Sequence, residues 1–206
     1  MVLQTSSEIR REEIYAVAAR LFYSAGFHAT SMRTIAAQVS IQMPTLYYYF
    51  PSKEALLANI MSSVLLRLIR GLERRLSAMD GPREQLYEAV RFHVCFHCEF
   101  PEEATIVDTE MRALSDESRT TIKSLRDEYE QMFKNILHEG KASGVFRVAD
   151  VNIASYALLS MATGVIGWYR QTGRYSAEQI AEMYATLAIR GVSNGEGAWG
   201  SIAGRT

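Results

Sequence analysis

Apolar positions recur along the chain at spacings of three and four, and nowhere alternate over a strand's length, so the pattern predicts helices throughout. Ile14, Val17, Ala18, Leu21, Phe22 and Ala25 mark a first helix over about 8–25, closed by Gly26. Ser31 caps a short second helix whose apolar face is Met32, Ile35, Ala36 and Val39 and which ends near Ser40. A tight connection through Ser40, Ile41 and Gln42 leads to a third short helix over about Met43–Phe50, with Pro44 in its first turn and Pro51 as its stop. Ser52 caps a fourth helix of about 27 residues, a rod of roughly 40 Å expected to join two domains. Its apolar stripe runs from Leu56 to Leu72.

Beyond the break at Asp80, Gly81 and Pro82 the pattern predicts helices over about 83–99, from Pro101 to about Leu114, and from Ser115 to Gly144. Asp150 then caps the uncharged stretch Val151–Tyr169, and a Ser176/Gln179 capping box opens a last helix to Val192. The fold class is therefore all-α, with about nine helices. Val151–Tyr169 approaches the length needed to span a bilayer, but Asn152, Ser155, Ser160 and Thr163 dilute it. The expected reading is a helix buried on most of its circumference, and no membrane association. The tail 194–206 is glycine-rich and expected to fray.

With 206 residues and 48% hydrophobic content, the chain is not disordered in bulk. Two cysteines exclude a disulfide framework. No apolar stretch follows Glu8, Arg10 and Arg11, so no secretory signal is expected and a cytoplasmic location is. The net charge of −1 hides an asymmetry. Residues 1–53 carry Arg10, Arg11, Arg20, Arg33 and Lys53 against Glu8, Glu12 and Glu13, while the remainder is acidic. A mildly positive amino-terminal module on an acidic body fits a nucleic-acid-facing segment.

Three helices, the second and third short and joined by a tight turn, form the arrangement in which the later helix enters a DNA major groove. The third helix would present Gln42, Met43, Pro44, Thr45 and Tyr48 while Leu46 and Phe50 face inward. Tyr47 and Tyr48 offer hydroxyls to phosphates; Tyr49 is expected to close a small core. Residues 34–52 hold no charge, so attraction to DNA must come from Arg33, Lys53 and the arm with Arg10 and Arg11. Base readout would rest on Gln42 and Thr45, with Met43 touching thymine methyls.

Residues 30–57, TSMRTIAAQVSIQMPTLYYYFPSKEALL, resemble the DNA-binding helices of the TetR family of transcriptional regulators. The resemblance implies that Arg33, Tyr47, Tyr48 and Lys53 contact phosphates and that Gln42 to Thr45 lie near bases, with Ser31 also in the DNA-facing set. It departs from the family at Ser40, where a turn glycine is usual, and at Met43 and Pro44, which puts the operator sequence in doubt. Residues 90–192, with VRFHVCF, MRALSDESRTTIKSLRDEYE, GVFRVADVNIA and GWYR, resemble the ligand domain of the KstR-type subgroup. The resemblance implies a homodimeric repressor paired through its last two helices and released from a palindromic double-stranded operator by a small apolar effector such as a CoA thioester. The small residues Ala154, Ala157, Ser160, Ala162, Gly164 and Gly167 independently suit close helix approach.

The implied organisation is a helix-turn-helix DNA-binding domain at 1–53 and a helical ligand-binding and dimerisation domain at 54–193. Phe92, Phe96, Met111, Tyr129, Met132, Met161, Trp168 and Arg170 are the candidate pocket residues, each with ordinary core packing as its competing role. Arg170 would meet a thioester's phosphates, cap a helix end or pair with Glu178. His93, His97, Cys95 and Cys98 crowd one helix and leave a metal- or redox-sensing regulator as an alternative, although a third ligand is missing. A helical acyl-ligand carrier that never touches DNA is the alternative of a different class. No nucleophilic triad, phosphate loop or paired-acid motif points to an enzyme, and no metal site or cofactor is expected.

Overall fold

The computed structural model describes residues 6–193, so the expected fraying of 194–206 lies outside the described residues. These residues form nine α-helices: α1 Ser6–Ala25, α2 Met32–Gln38, α3 Met43–Tyr49, α4 Lys53–Leu76, α5 Pro82–Glu99, α6 Pro101–Thr109, α7 Asp116–Ala142, α8 Val151–Thr163 and α9 Ala177–Val192. Two compact units divide them, one made of 1–69 with 100–128 and the other of 70–99 with 129–206. The divisions fall within α4, between α5 and α6, and within α7, and the first unit takes in more than the 1–53 segment drawn from the sequence.

In the first unit, α1 buries Ile14, Ala18, Ala19 and Phe22. Gly26 stops it at φ +86, its N–H reaching the Phe22 carbonyl at 3.0 Å. Ser31 caps α2 by accepting from the Thr34 N–H at 3.0 Å. The turn after α2 closes with Ser40 N–H to Ala37 O at 3.2 Å and Ile41 N–H to Ala36 O at 3.0 Å, the pair of bonds that requires a left-handed residue between them. Ser40 is that residue, at φ +56, where glycine is usual. Leu46 and Phe50 bury the inner side of α3. Phe50 itself is extended, at φ −139 and ψ 108, because Pro51 disfavours helical geometry in the residue before it, which ends α3 one position short of the expectation.

The second unit is built on α5, whose Leu86, Ala89, Val90, Val94 and Cys98 are buried. Against it α9 sets Ile180, Ala181, Ala185, Ala188 and Ile189, the alanines permitting close approach. Asp150 caps α8 through the Ile153 N–H at 3.0 Å. The uncharged stretch does not run on as one helix to Tyr169: α8 ends at Thr163, and Gly164–Gly167 make a tighter 3₁₀ turn, which glycine-flanked sequence favours over a further α-turn. The helix expected to reach Leu114 likewise stops at Thr109 and is followed by a 3₁₀ turn at Met111–Ala113. By length and composition α4 is the one described helix able to cross a membrane, but 56% of that window is buried, as befits a helix whose Leu56, Leu57, Ile60, Met61 and Val64 fill a core.

Candidate nucleic-acid interface and effector site

The first unit presents α3 outward. Tyr48 is 81% exposed and Tyr47 47%, while Leu46, between them and the core, is fully buried. Gln42, Pro44 and Thr45 are exposed and Met43 is half-buried. Gln42 stands at the N-cap of α3 without a side-chain capping bond, which leaves its amide free for another partner. Tyr49, expected to close a small core, is only half-buried and meets the exposed Tyr48 edge to face at 5.3 Å. Ser31 and Arg33 are exposed at the start of α2.

The basic residues expected to supply attraction are differently occupied. Arg10 pairs with Glu13 at 2.6 Å. Arg11 donates to Asn59 at 2.7 Å and lies over the Phe50 ring at 5.5 Å. Lys53, expected to contact phosphate, instead donates from Nζ to the carbonyls of Phe27 and Thr30, each at 2.8 Å, and of His28 at 3.4 Å. Its ammonium also sits 4.4 Å from the Phe27 ring centre. An ammonium has three N–H donors, and all three are spent inside the protein.

Polar contacts that the sequence did not announce tie the same unit together. The Tyr15 hydroxyl, on α1, donates to the Ile60 carbonyl and to Glu103, each at 3.3 Å, and Glu103 pairs with Arg67 of α4. Burial, with the Glu103 charge adding to it, pushes the Tyr15 phenol up. The Ser115 N–H and hydroxyl both donate to Glu54 at 3.2 Å. Partial burial opposes ionisation of Glu54, but hydrogen bonds from Ser118 and Ser115 outweigh it and lower the carboxyl.

In the second unit, Phe92, Phe96 and Tyr129 are buried. Phe92 and Phe96 meet at 6.1 Å, and Tyr129 meets Phe133 at 5.6 Å. At the centre is a polar pair that the sequence suggested as metal ligands. His93 Nδ1 bonds the Tyr129 hydroxyl at 3.2 Å, and its Nε2 the Thr163 hydroxyl at 3.0 Å. His97 donates from Nδ1 to the His93 carbonyl at 2.8 Å, and the two rings stack at 3.9 Å. Burial drives His93 well below its ordinary range, helped by His97, and brings His97 down to about 4, so both are neutral near pH 7.

Stacked rings, three of whose four nitrogens bond protein groups, do not converge on an ion, and among the described residues no three His, Cys, Asp or Glu are grouped to hold one. Cys95 and Cys98 are free thiols, not a bridge. Burial raises both, Cys98 to about 12, which keeps them out of the thiolate form a redox sensor uses. The metal- and redox-sensing alternatives therefore find no support.

The remaining pocket candidates are dispersed. Met132 and Met161 are half-buried, and Trp168 is 52% exposed and stacked on Tyr184 at 6.3 Å. Arg170 is exposed and donates to the Tyr169 carbonyl at 2.7 Å. Met111 belongs to the first unit. A groove of about 490 Å³ in the second unit is lined by Met79, Arg83, Tyr87, Glu88, Ile189 and Arg190 among others, none of them an expected pocket residue.

Residues 79–192 match the family model for the tetracyclin repressor-like C-terminal domain, and residues 14–60 that of the bacterial regulatory proteins of the tetR family. The chain belongs to the TetR family. It is 31% identical over 198 residues to the HTH-type transcriptional repressor KstR2 of Mycolicibacterium smegmatis, covering 91% of this chain and 93% of that one. A solved regulator of the tetR family from Rhodococcus RHA1 superposes with a TM-score of 0.85 at 25% identity, over 92% of this chain and 98% of the other. AibR, solved in complex with isovaleryl coenzyme A and operator DNA, superposes at 0.80 with 26% identity, over 86% and 97%. These relatives are regulators and not enzymes, so this TetR-family chain is a transcriptional regulator of helix-turn-helix type and the non-enzymatic expectation stands.

Proposed function

We propose that the chain is a dimeric repressor that reads a palindromic operator through α3 and leaves it when a small apolar or acyl-CoA effector binds the second unit. The observation that carries the reading is the outward face of α3, with Gln42, Thr45, Tyr47 and Tyr48 free at the surface over a buried Leu46. Gln42 and Thr45 read bases with Met43 and Pro44 beside them, and Ser31, Arg33, Tyr47 and Tyr48 hold phosphates.

Pairing is supported by Ile153 and Tyr156 on α8 and Met183 and Leu187 on α9, large apolar groups at least half exposed in one copy. A two-fold mate places two recognition helices about 34 Å apart, one turn of duplex. The effector site is placed in the second unit beside Phe92, Phe96, Tyr129, Met132 and Met161, with Trp168 and Arg170 toward its mouth; Met111 is left out. Support for an acyl-CoA comes from AibR, whose solved complex holds one together with DNA. The effector acts by binding the DNA-free arrangement better than the bound one. The site of action is the cytoplasm, where operator DNA is.

A mobility-shift titration on a duplex selected by the chain from a randomised pool tests the reading. Salt-sensitive binding, weakened by isovaleryl-CoA or a longer acyl-CoA, is expected. No binding to any duplex would leave the acyl-ligand carrier as the better account.

A further inference from the structure

Lys53 opens α4, and a cation in the first turn of a helix faces the positive end of the helix dipole. Something other than α4 therefore holds it there. The loop of residues 26–30 does so: Phe27, His28 and Thr30 turn their carbonyls onto one ammonium, and the Phe27 ring covers it at 4.4 Å. That loop is itself fixed. Phe27 is buried edge to face against Phe22 at 5.1 Å, and the buried Thr30 hydroxyl donates to the Gly26 carbonyl at 2.9 Å and the Leu21 carbonyl at 3.2 Å. Thr30 immediately precedes the cap of α2, and Lys53 is the fourth residue after the end of α3. The Lys53–Thr30 bond thus joins the point where the chain enters the α2–turn–α3 segment to the point where it leaves.

We infer that Lys53 is a positioning residue, which closes a ring around α2 and α3 and so fixes how α3 is presented, and that it is not a phosphate contact. The inference rests on the DNA-binding reading above. A residue that clamps the ends of the segment acts on every group α3 offers and leaves the salt dependence unchanged, whereas a residue that neutralises one phosphate contributes affinity and salt dependence together.

The two roles separate in a salt titration of the full chain. The probe is the duplex selected by the wild-type chain, and the circular-dichroism melt of each variant is followed in parallel. Lys53→Met is expected to bind at least about tenfold more weakly at a temperature where it is fully folded, because the loop carbonyls lose their donor. The slope of log affinity against log salt stays at the wild-type value. A phosphate contact predicts a slope smaller by about 0.9. Lys53→Arg keeps the charge but offers a planar fork that cannot converge on three carbonyls, so it too is expected to bind more weakly with an unchanged slope. It serves as the decisive variant if Lys53→Met does not fold.

A reduced slope in Lys53→Met overturns the inference, as does wild-type affinity in folded Lys53→Met, or affinity within about twofold of wild type in Lys53→Arg. A wild-type chain that selects no duplex overturns the DNA-binding reading and this inference with it.

Discussion

The two units differ in the polar groups they turn inward. The first gives each of its part-buried acidic and basic side chains a dedicated partner: Lys53 its three carbonyls, Glu54 the Ser115 N–H and hydroxyl, Glu103 the Arg67 guanidinium. The second buries the rings of His93 and His97, neutral, against Tyr129 and Thr163, and sets its buried Glu88 between Arg75 and Arg91. It then turns apolar groups outward at Ile153, Tyr156, Met183 and Leu187. Charge kept near the surface suits a partner that is itself charged and hydrated. An aromatic-rich interior with an apolar outer face suits a permanent protein neighbour and an apolar ligand.

The comparison breaks most visibly at the apolar face. Leu187→Glu should abolish pairing at micromolar concentration, since a carboxylate buried at an apolar contact costs several kcal/mol. Sedimentation velocity reads the result, and a variant that stays dimeric assigns the interface elsewhere.

Acid is expected to act next, and on the second unit. Both histidines ionise below their unfolded value of about 6.5, so the unfolded chain binds more protons as pH falls, and their contribution is complete above that value and lost beneath it. For His97, brought down to about 4, the full loss approaches about 3 kcal/mol. Glu54 also has its carboxyl lowered, but its contribution disappears only as pH falls through the carboxylate range. Urea midpoints at pH 7.5 and 5.0 should therefore differ, and His97→Gln should shrink the difference; a flat profile would show that the pair is not buried in solution.

The α3 face provides a pair of smaller tests. Tyr48→Phe should weaken binding to operator and random duplex alike, by the roughly 1.5–3 kcal/mol of a hydrogen bond to a charged group. Gln42→Ala should change the preferred sequence, by about 1–3 kcal/mol at one base pair. Unaltered discrimination in the Gln42 variant removes that residue from base readout. Smallest is Ser40→Gly, which relieves a left-handed serine and should raise stability by about 0.5–1 kcal/mol in a denaturant titration.

Much of this was legible because local chemistry decided it. Pro51 stopping α3, Ser31 and Asp150 as caps, the Ser176 capping box and the buried Leu46/Phe50 pair all depend on neighbours a few residues away. What escaped the sequence depends on distant partners. Nothing around Lys53 hints at carbonyls 23 to 26 residues earlier, and the resemblance alone groups it with the phosphate contacts. His93 and His97 share a helix face that the sequence offers to a metal, and the hydroxyls that satisfy His93 are written only at Tyr129 and Thr163. Trp168 and Arg170 are candidates as an aromatic group and a cation just beyond it, and both are exposed past the end of α8 at Thr163. The repressor family itself was readable in residues 30–57 because that stretch combines all the local signals in one place.

The absence of charge from residue 34 to residue 52 has a consequence for how such a regulator behaves among genomic sites. A recognition segment with so little Coulombic hold displaces few counterions from arbitrary duplex, and its residence on unrelated sequence is brief. The vast excess of decoy sites then sequesters only a small share of the cellular pool. Modest copy numbers suffice to keep an operator occupied, at the expense of a slower search along the chromosome.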